Sequence, residues 1–360
     1  MSETPFDAAG AILERARASG AFPAASAEVG ATHGVLWRAV TGSIPSGSGE
    51  HGVPVTEGTF FDLASLTKVL ATTPILMRHV ASGRVGLNDP VSRWFARWRG
   101  ADRETVTVRD LLGHCSGLTA FLPFFRDHAG RVEFEPAICD LPLEYAPRTR
   151  SVYSDLGFIL LAWIAEEAGD APLDSQFDGL CRETAVSDLG FRPSVALRSR
   201  TAPTGLDAWR GRVLVGEVHD QNAWALGGVA GHAGLFGTAA AVGAMARHVL
   251  GGLRGLDATL APTTLVRHFA RRTDVPGSSR ALGWDTMLPT SSCGHRMSAT
   301  AIGHTGFTGT SLWIDWERDV YVVLLTNRVH PTSDNDEILR VRPAFHDAVM
   351  DALDQARSRP

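Results

Sequence analysis

Lysine is almost missing from this sequence. Lys68 is the only lysine among the 34 basic residues, so the other 33 are arginines. A bias toward arginine explains the surface, where a cation can be either residue. A site that must remove the proton requires lysine, because a guanidinium group stays protonated in proteins. Lys68 is therefore a candidate base before any motif is considered.

The signals of disulfide frameworks, nucleic-acid surfaces and membrane spans are missing as well. The cysteines lie far apart without a C-x-x-C pair, which favours reduced, buried thiols: Cys115, Cys139, Cys181 and Cys293. A net charge of -5 argues against a nucleic acid or an anionic membrane as partner. No apolar stretch can span a bilayer, and the N-terminal residues show no signal peptide. We expect a cytoplasmic protein with a small peptide, amide or ester substrate, or a periplasmic or secreted one if a further segment precedes Met1.

Strand patterns lie at the two ends of the chain, and helical patterns lie between them. Apolar and β-branched runs predict strands over 25–30, 35–41, 301–306, 311–316 and 320–326. Helical periodicity predicts helices over 7–19, 108–114, 156–168, 239–250, 263–270 and 338–356. It also predicts one from Ser65 to Gly83, which Pro74 should kink or disturb in its first turns. We expect an α/β protein with a discontinuous sheet domain, 1–62 plus 275–360, a mostly helical domain, 63–274, and an active site between them.

Ser65-Leu-Thr-Lys68 is an S-x-x-K motif at the start of a predicted helix. Positions i and i+3 share a helix face, so the hydroxyl of Ser65 and the amine of Lys68 can come within hydrogen-bond distance. The helix dipole and the removal of the amine from water both favour a neutral lysine, which can accept the serine proton. The alternative is a helix-capping serine followed by an exposed lysine. Because Lys68 is the only lysine, we predict that Ser65 is a nucleophile and Lys68 its base partner.

Tyr153-Ser154-Asp155 directly precedes the predicted helix 156–168. One interpretation makes Ser154 or Asp155 the helix cap and Tyr153 a packed aromatic residue. The other places the Tyr153 phenol at the helix entrance, where it can relay a proton to a leaving group. The second interpretation makes Tyr153 a catalytic candidate.

His304-Thr305-Gly306 ends a predicted strand and is followed by Phe307. A small residue at this point lets a substrate backbone lie along the strand edge. The next backbone N–H can face the same oxygen as the N–H of Ser65 and form an oxyanion hole with it. The alternative is a strand-end turn with a surface histidine.

In this order and at these separations, the three segments resemble the penicillin-binding protein and serine β-lactamase family, in its class C-like branch of esterases, amidases and peptidases. The likeness spans nearly the whole chain and includes 60–65, 106–118 and 227–237. It implies a β-lactamase-like α/β fold, with a mainly antiparallel sheet flanked by helices from both termini and an inserted helical domain. It also implies an acyl-enzyme on Ser65 that needs no cofactor, with Lys68 and Tyr153 moving the proton. Which of these two is the main base stays open.

Three further segments are similar to a narrower branch of that family: 218–223, 228–236 and 324–331. This branch includes exo-acting N-acetylmuramoyl-L-alanine amidases and cell-wall peptidase-like proteins. The likeness implies cleavage of an amide in a cell-wall-derived peptide or muropeptide, by an amidase or D,D-peptidase-like enzyme. A carboxylesterase, a weak β-lactamase and a β-lactam sensor that is acylated without turnover are the alternatives.

The chain departs from the β-lactamase pattern at two predicted substrate-binding positions. His304 stands where lysine is usual, which removes a fixed charge for a substrate carboxylate. Asp155 stands where asparagine is usual, and an ionised carboxylate only accepts hydrogen bonds, from a substrate N–H or from Lys68. Both changes weaken the case for efficient β-lactam hydrolysis. The predicted substrate-binding residues are Asp155, His304, Thr305, Gly306 and Phe307.

Other kinds of active site lack their sequence signals. There is no G-x-S-x-G elbow, P-loop or H-E-x-x-H motif. The side chains of His219, Asp220, His232 and His304 do not have zinc-type spacing, so we expect no metal. We expect instead a hydrogen bond between His219 and Asp220, and a backbone approach to the site by 231–234. Arg328 and His330 can contact a substrate acid or cap a turn, and the oligomeric state stays open.

Overall fold

The structure is a computed structural model that describes residues 5–45 and 52–358. Strands from both ends of the chain form its main sheet. The strands are β1 (Ala24–Ala31), β2 (Gly34–Ile44), β3 (Val53–Pro54), β4 (Phe61–Asp62), β5 (Leu189–Phe191), β6 (Leu206–Asp207), β7 (Arg212–Val213), β8 (Leu235–Gly237), β9 (Asp285–Thr286), β10 (Ile302–Thr305), β11 (Ser311–Asp315) and β12 (Val320–Thr326). Seven of them pair antiparallel in the order β3-β2-β1-β12-β11-β10-β9. The predicted antiparallel sheet from both termini is therefore present.

Helices fill the middle of the chain and flank the sheet. They are α1 (Asp7–Ala18), α2 (Thr73–Ala81), α3 (Val108–Leu112), α4 (Gly130–Cys139), α5 (Asp155–Gly169), α6 (Leu173–Glu183), α7 (Gln221–Ala225), α8 (Ala239–Arg254), α9 (Thr263–Ala270) and α10 (Ile338–Ser358). A π-helical stretch, Lys68–Thr72, precedes α2, so the disturbance predicted around Pro74 is present. None of the helices in the described residues is long and apolar enough to cross a membrane.

The centre of the main sheet is buried on both faces because β12 carries apolar side chains on both. Val29 of β1 pairs with Val322 of β12, and both face a core shared with α1 and α10. The alternate residues Val323 and Leu325 face the second core, which α8 and the helical middle of the chain complete. A strand with this two-sided burial reads as a continuous apolar run rather than an alternating one. The division into 1–62 plus 275–360 and 63–274 stays a prediction.

A small second sheet, β4-β8-β5, positions the S-x-x-K segment. Phe61 pairs with Gly237 and Asp62 with Phe236, so β4 is held between the helical region and the main sheet. The chain leaves β4 directly into Ser65. All four cysteines are free and buried, as their spacing predicts.

Candidate active site

Ser65 lies in a tight turn between β4 and the helical segment that carries Lys68. The preceding Ala64 has a backbone φ of 47°, in the left-handed region that costs free energy for a residue with a Cβ. Asp62 offsets part of that cost, because its carboxylate accepts the N–H of Ala64 at 2.8 Å and that of His219 at 2.6 Å. Burial raises the pKa of Asp62 to about 6, although both bonds favour the carboxylate. The turn leaves Ser65 lining an open cleft.

Lys68 is completely buried behind Ser65, and three acceptors surround its Nζ. Nζ lies 3.0 Å from Ser65 Oγ, 2.7 Å from Asp155 Oδ1 and 3.0 Å from the backbone oxygen of His232. The predicted approach of Ser65 and Lys68 is therefore present in the structure. Asp155 contacts Lys68, one of the two partners expected for its carboxylate.

The protonation of Lys68 differs from the expectation. Burial by itself lowers the pKa of Lys68, but the Asp155 carboxylate and the Tyr153 phenol together raise it by more, so the pKa of Lys68 lies above its ordinary value. The prediction that removal from water frees Lys68 of its proton is wrong. The physical reason is the ion pair with Asp155, 87 residues further along the chain.

The same heavy-atom positions suit both protonation states of Lys68. An ammonium group has three N–H donors, and each has an acceptor here. A neutral amine keeps two donors, for Asp155 and the His232 carbonyl, and directs its lone pair at the Ser65 hydroxyl. A proton can therefore pass from Ser65 to Lys68 without movement of either side chain, once Lys68 has lost its own.

Tyr153 packs over the same ammonium group. Its ring centroid lies 4.8 Å from Nζ of Lys68 and 4.7 Å from the ring of His114. The Ser154 side chain accepts the N–H of Gly157 and caps α5, so the capping interpretation of this segment is confirmed for Ser154. The buried Tyr153 hydroxyl makes no hydrogen bond of regular geometry within 5–45 and 52–358, but it faces Lys68 and Ser65 closely enough that both lower its pKa. Burial raises the pKa of Tyr153 above its ordinary value even though Lys68 opposes this, so the phenol keeps its proton.

His304 is a buried residue of β10, not a surface histidine. Its Nδ1 lies 2.8 Å from the backbone oxygen of Thr305, which can only accept, so Nδ1 carries the hydrogen. Burial, with the charges of Arg280 and Lys68 nearby, holds the pKa of His304 well below its ordinary value. His304 is therefore neutral at neutral pH and supplies no charge for a substrate acid.

The turn after β10 is tied to the turn before Ser65. Thr308 donates to the backbone oxygen of Asp62 at 2.7 Å, and Thr310 donates to that of Leu63 at 3.0 Å. In the described part of the chain, the backbone N–H groups of Ser65 and Phe307 donate to no acceptor. Two free N–H groups on turns that are bonded together are what a developing oxyanion requires.

The residues around 219–232 support Lys68 in a way that the sequence did not predict. The expected hydrogen bond between His219 and Asp220 is wrong: Asp220 instead accepts from His232 Nε2 at 2.9 Å and from the N–H of Ala223 at 2.7 Å. The reason is that Asp220 caps α7, which turns its carboxylate toward His232. Burial alone would raise the pKa of Asp220, but His232 and the capping bond lower it to about 2. The backbone of 231–234 does approach the site, through the bond from Lys68 to the His232 carbonyl.

A cleft of about 870 Å³ is open to solvent beside these residues. Apart from Lys68, it is lined by every predicted site residue: Ser65, Tyr153, Asp155, His304, Thr305, Gly306 and Phe307. Arg280, Arg328 and Arg342 line it as well. Of these three, only Arg328 was predicted from the sequence as a possible contact for a substrate acid. Arg280 lies in an irregular stretch and Arg342 inside an amphipathic helix, so neither has a sequence signal. No group of His, Cys, Asp and Glu in the described residues is arranged to hold a metal ion.

Residues 10–344 match the family model described as Beta-lactamase. Curated relatives from Salmonella gallinarum and Salmonella typhi are 30% identical over 322 residues, which cover 80% of this chain and 74% of theirs. Both carry the name "Putative D-alanyl-D-alanine carboxypeptidase". The match therefore extends over nearly the whole described chain and includes the S-x-x-K segment.

Solved structures with a similar fold include a hydrolase, a synthase and a beta-lactamase. EstCE1, a hydrolase with promiscuous acyltransferase activity, superposes with a TM-score of 0.76 at 19% identity and covers 96% of this chain and 98% of its own. Simvastatin synthase from Aspergillus terreus gives 0.77 at 16% identity, over 99% of this chain and 100% of its own. A beta-lactamase from Mycobacterium bovis gives 0.64 at 21% identity, over 95% and 99%. At these identities the likeness shows the fold, which is the α/β, β-lactamase-like fold expected from the sequence.

Proposed function

The chain belongs to the beta-lactamase family and is a serine hydrolase, and from that premise we propose that it cleaves an amide bond in a peptide or muropeptide derived from the bacterial cell wall. The name of the curated relatives supports a peptide substrate for this chain. The sequence likeness of 218–223, 228–236 and 324–331 to cell-wall amidases and peptidases points in the same direction.

The observation that carries the proposal is the 3.0 Å contact between Nζ of Lys68 and Oγ of Ser65. It joins a nucleophile lining the cleft to the chain's single lysine. Amide hydrolysis needs this activation because a serine hydroxyl is a weak nucleophile at its ordinary pKa.

In the proposed reaction, Lys68 first releases its own proton to solvent. Oγ of Ser65 then bonds to the amide carbon and its proton passes to the neutral Lys68 amine. The N–H groups of Ser65 and Phe307 stabilise the resulting oxyanion. The C–N bond then breaks as the leaving nitrogen takes a proton from Tyr153, whose raised pKa keeps that proton available. Lys68 returns a proton to Tyr153, and water hydrolyses the acyl ester to restore Ser65.

Two features of the site, the charge of Asp155 and the absence of charge on His304, favour a peptide amide over a β-lactam. Asp155 can only accept, and its nearest partner is Lys68, so it lacks the N–H groups with which an asparagine amide donates to a carbonyl. The neutral His304 lacks the positive charge that β-lactamases of this family commonly place there. An extended peptide beside His304 and Thr305, beyond the part of β10 that pairs with β9, has less need of either group, because its backbone supplies the hydrogen bonds.

The test compares muropeptides, D-Ala-D-Ala peptides, p-nitrophenyl esters and nitrocefin with the wild-type protein and with Ser65→Ala. We expect amide cleavage of a cell-wall peptide to have the highest kcat/KM, and Ser65→Ala to lose about a thousandfold or more. Intact mass spectrometry should show an acyl adduct on Ser65 that decays. Faster turnover of nitrocefin or of the esters contradicts the substrate class, and an adduct that never decays indicates a β-lactam sensor instead.

A further inference from the structure

The cleft contains more fixed positive charge than the proposed chemistry uses. Arg280, Arg328 and Arg342 line it, and none of them contacts Ser65 or Lys68. Most carboxylates along the cleft already have a partner. Asp155 pairs with Lys68, Asp220 with His232 and Asp207 with the buried Arg210. The three guanidinium groups differ in how much of their charge a neighbouring carboxylate compensates.

Arg342 is the least compensated of them. It is 5% exposed, on α10, and its Nη2 donates to the backbone oxygens of Gly306 and Thr310 at 2.7 and 2.8 Å. Its Nε and Nη1 donate to no acceptor within the described residues, and no carboxylate there lies within 4 Å of it. Burial and the neighbouring Arg328 charge lower the pKa of Arg342 to about 9. A buried cation without a counter-charge is expensive, so the protein retains it at a cost in stability.

Arg328 lies beside Arg342 and is held just as firmly. Its Nε donates to the backbone oxygen of Phe307 at 2.9 Å, and its Nη1 donates to those of Ser333 and Asn335 at 3.1 and 2.8 Å. Among the carboxylates of the described residues, only that of Asp336, whose side chain is 79% exposed, lies within 4 Å of it, at 3.7 Å. Its Nη2 has no acceptor among the described residues. Backbone carbonyls therefore fix both arginines and leave each with donors to spare.

Arg280 differs from Arg342 in having a nearby carboxylate and in being more exposed to solvent. Its guanidinium lies 5.0 Å from the ring centroid of Tyr153, and Asp285 approaches it at 3.9 Å. It is also more exposed than Arg342, with 21% of its side chain accessible. Part of its charge is therefore already offset by the protein and by water.

We propose that Arg328 and Arg342 form an anion subsite that holds a carboxylate or phosphate group of the substrate at the α10 side of the cleft. Two guanidinium groups with unused N–H donors match the oxygens of such a group in bidentate geometry. Arg342 bonds to the carbonyl of Gly306 and Arg328 to that of Phe307, so an anion held here lies next to the N–H groups that face the oxyanion. The inference extends the proposed function and rests on it for the position of Ser65.

The test uses covalent labelling of Ser65, so it does not depend on the natural substrate. Three fluorophosphonates of equal length carry a terminal carboxylate, its methyl ester or a phosphate monoester, and each second-order labelling rate is measured. In the wild-type protein we expect the carboxylate or the phosphate probe to react about tenfold or more faster than the methyl ester. In Arg342→Gln this preference should fall to within about twofold, and in Arg328→Gln it should fall at least severalfold. Which anionic probe reacts faster in the wild-type protein identifies the group.

The ratio of the labelling rate of the anionic probe to that of the methyl ester distinguishes loss of anion binding from distortion of the active site. Both arginines support the turn after β10, so a distorted turn slows all probes equally and leaves the ratio unchanged, which overturns the inference. Arg340→Gln, on the same helix and 84% exposed in its side chain, is the matched control and should keep the ratio. Loss of the ratio only in Arg280→Gln also overturns it and moves the anion beside Tyr153. If the ratio behaves as expected but no cell-wall amide is cleaved, the subsite stands and the substrate proposal fails.

Discussion

Lys68 is held against Ser65 by groups that favour its charged form. Asp155 and the His232 carbonyl fix its position, and the Asp155 charge raises its pKa above the ordinary value despite complete burial. The geometry is thus ready for proton transfer, while the charge state of the resting site opposes it. A substrate N–H that binds the Asp155 carboxylate would weaken the ion pair and lower the pKa of Lys68 toward the neutral amine.

Lys68→Arg tests whether the lysine must lose its proton. If Lys68 contributes only positive charge, arginine should serve, as it does at every other basic position of the chain. If Lys68 accepts a proton, arginine fails, and we expect kcat/KM to fall at least about a hundredfold with the melting temperature changed by a few degrees. Lys68→Met, similar in length and uncharged, controls for the larger size of arginine. Near-normal turnover by a stable Lys68→Arg protein would move the base to Tyr153.

Asp155→Asn tests the effect of the ion pair on the pH dependence. The Asp155 charge raises the pKa of Lys68, so removing it should lower that pKa and allow the neutral amine to form at lower pH. The acid limb of the profile of kcat/KM against pH should therefore move to lower pH in Asp155→Asn. Asp155→Glu, which keeps the charge, should leave the limb close to that of the wild type. A limb that stays in place or moves up in Asp155→Asn would show that Lys68 is not the group that titrates.

Single residues could be predicted from the sequence only where their chemistry is rare. Lys68 stands out because no other residue of its type exists in the chain, and Ser65 follows from its spacing. Arg342 has no such signal, because its role comes from α10 passing beneath the turn at Gly306, a contact across 36 residues. The prediction for Asp220 was wrong for a similar reason. Its carboxylate bonds to His232, which is 12 residues away and which the fold brings close, rather than to the adjacent His219.

At the scale of elements, two turns form the chemical centre of the cleft. The turn before Ser65 and the turn after β10 are joined by the side chains of Thr308 and Thr310, which donate to Asp62 and Leu63. Each turn contributes one free backbone N–H. The distance between these N–H groups therefore depends on how closely the two backbones approach, and that approach occurs at Gly306.

Gly306→Ala should separate the two turns. An added Cβ would lie 2.1 Å from Thr310 Oγ1 and 2.6 Å from the backbone oxygen of Leu63, both of which bond across the turns. The backbone must shift, so we expect the N–H of Phe307 to leave its position and kcat to fall about a hundredfold. Gly190→Ala is the control, because its Cβ would meet no atom within 4 Å, and it should keep kcat. Equal kcat values for the two variants would exclude a role for this turn in oxyanion stabilisation.

Elements with a strong local pattern were predictable, and those that depend on distant pairing were not. The predicted bounds of β12 and α9 agree with the structure to the residue, because a buried apolar run and a sharp amphipathic pattern are visible locally. The helices α4 and α6 escaped prediction. Pro136 interrupts the pattern of the first, and acidic and polar residues dominate the second. The strands β4, β5 and β8 are two or three residues long and form only because the fold brings them together.

At the scale of the whole molecule, buried titratable groups make stability depend on pH. Burial lowers the pKa of His346 to about 3 and holds those of His114 and His304 well below the ordinary value. The unfolded chain binds protons at these histidines below about pH 6.5, while the folded protein does not, so acid favours unfolding. Asp62 acts in the opposite direction, because its raised pKa of about 6 stabilises the fold as the pH falls from there to about 4. Among these four groups, the three histidines outweigh the aspartate, so their combined effect is a loss of stability in acid.

His346→Gln isolates one of these groups. A pKa lowered to about 3 makes His346 responsible for about 2–3 kcal/mol of lost stability between pH 6.5 and pH 4.5. Glutamine does not titrate and can keep a hydrogen bond to Ser311, which His346 approaches at 3.2 Å. We therefore expect His346→Gln to be less stable than the wild type at pH 7 but to lose less of its free energy of unfolding on going to pH 4.5, as measured by urea titration. His33→Gln, at an exposed turn, should follow the wild-type dependence. Parallel pH dependences for all three proteins would mean that His346 takes up its proton without unfolding, and that the acid sensitivity of the fold lies with the histidines of the active site.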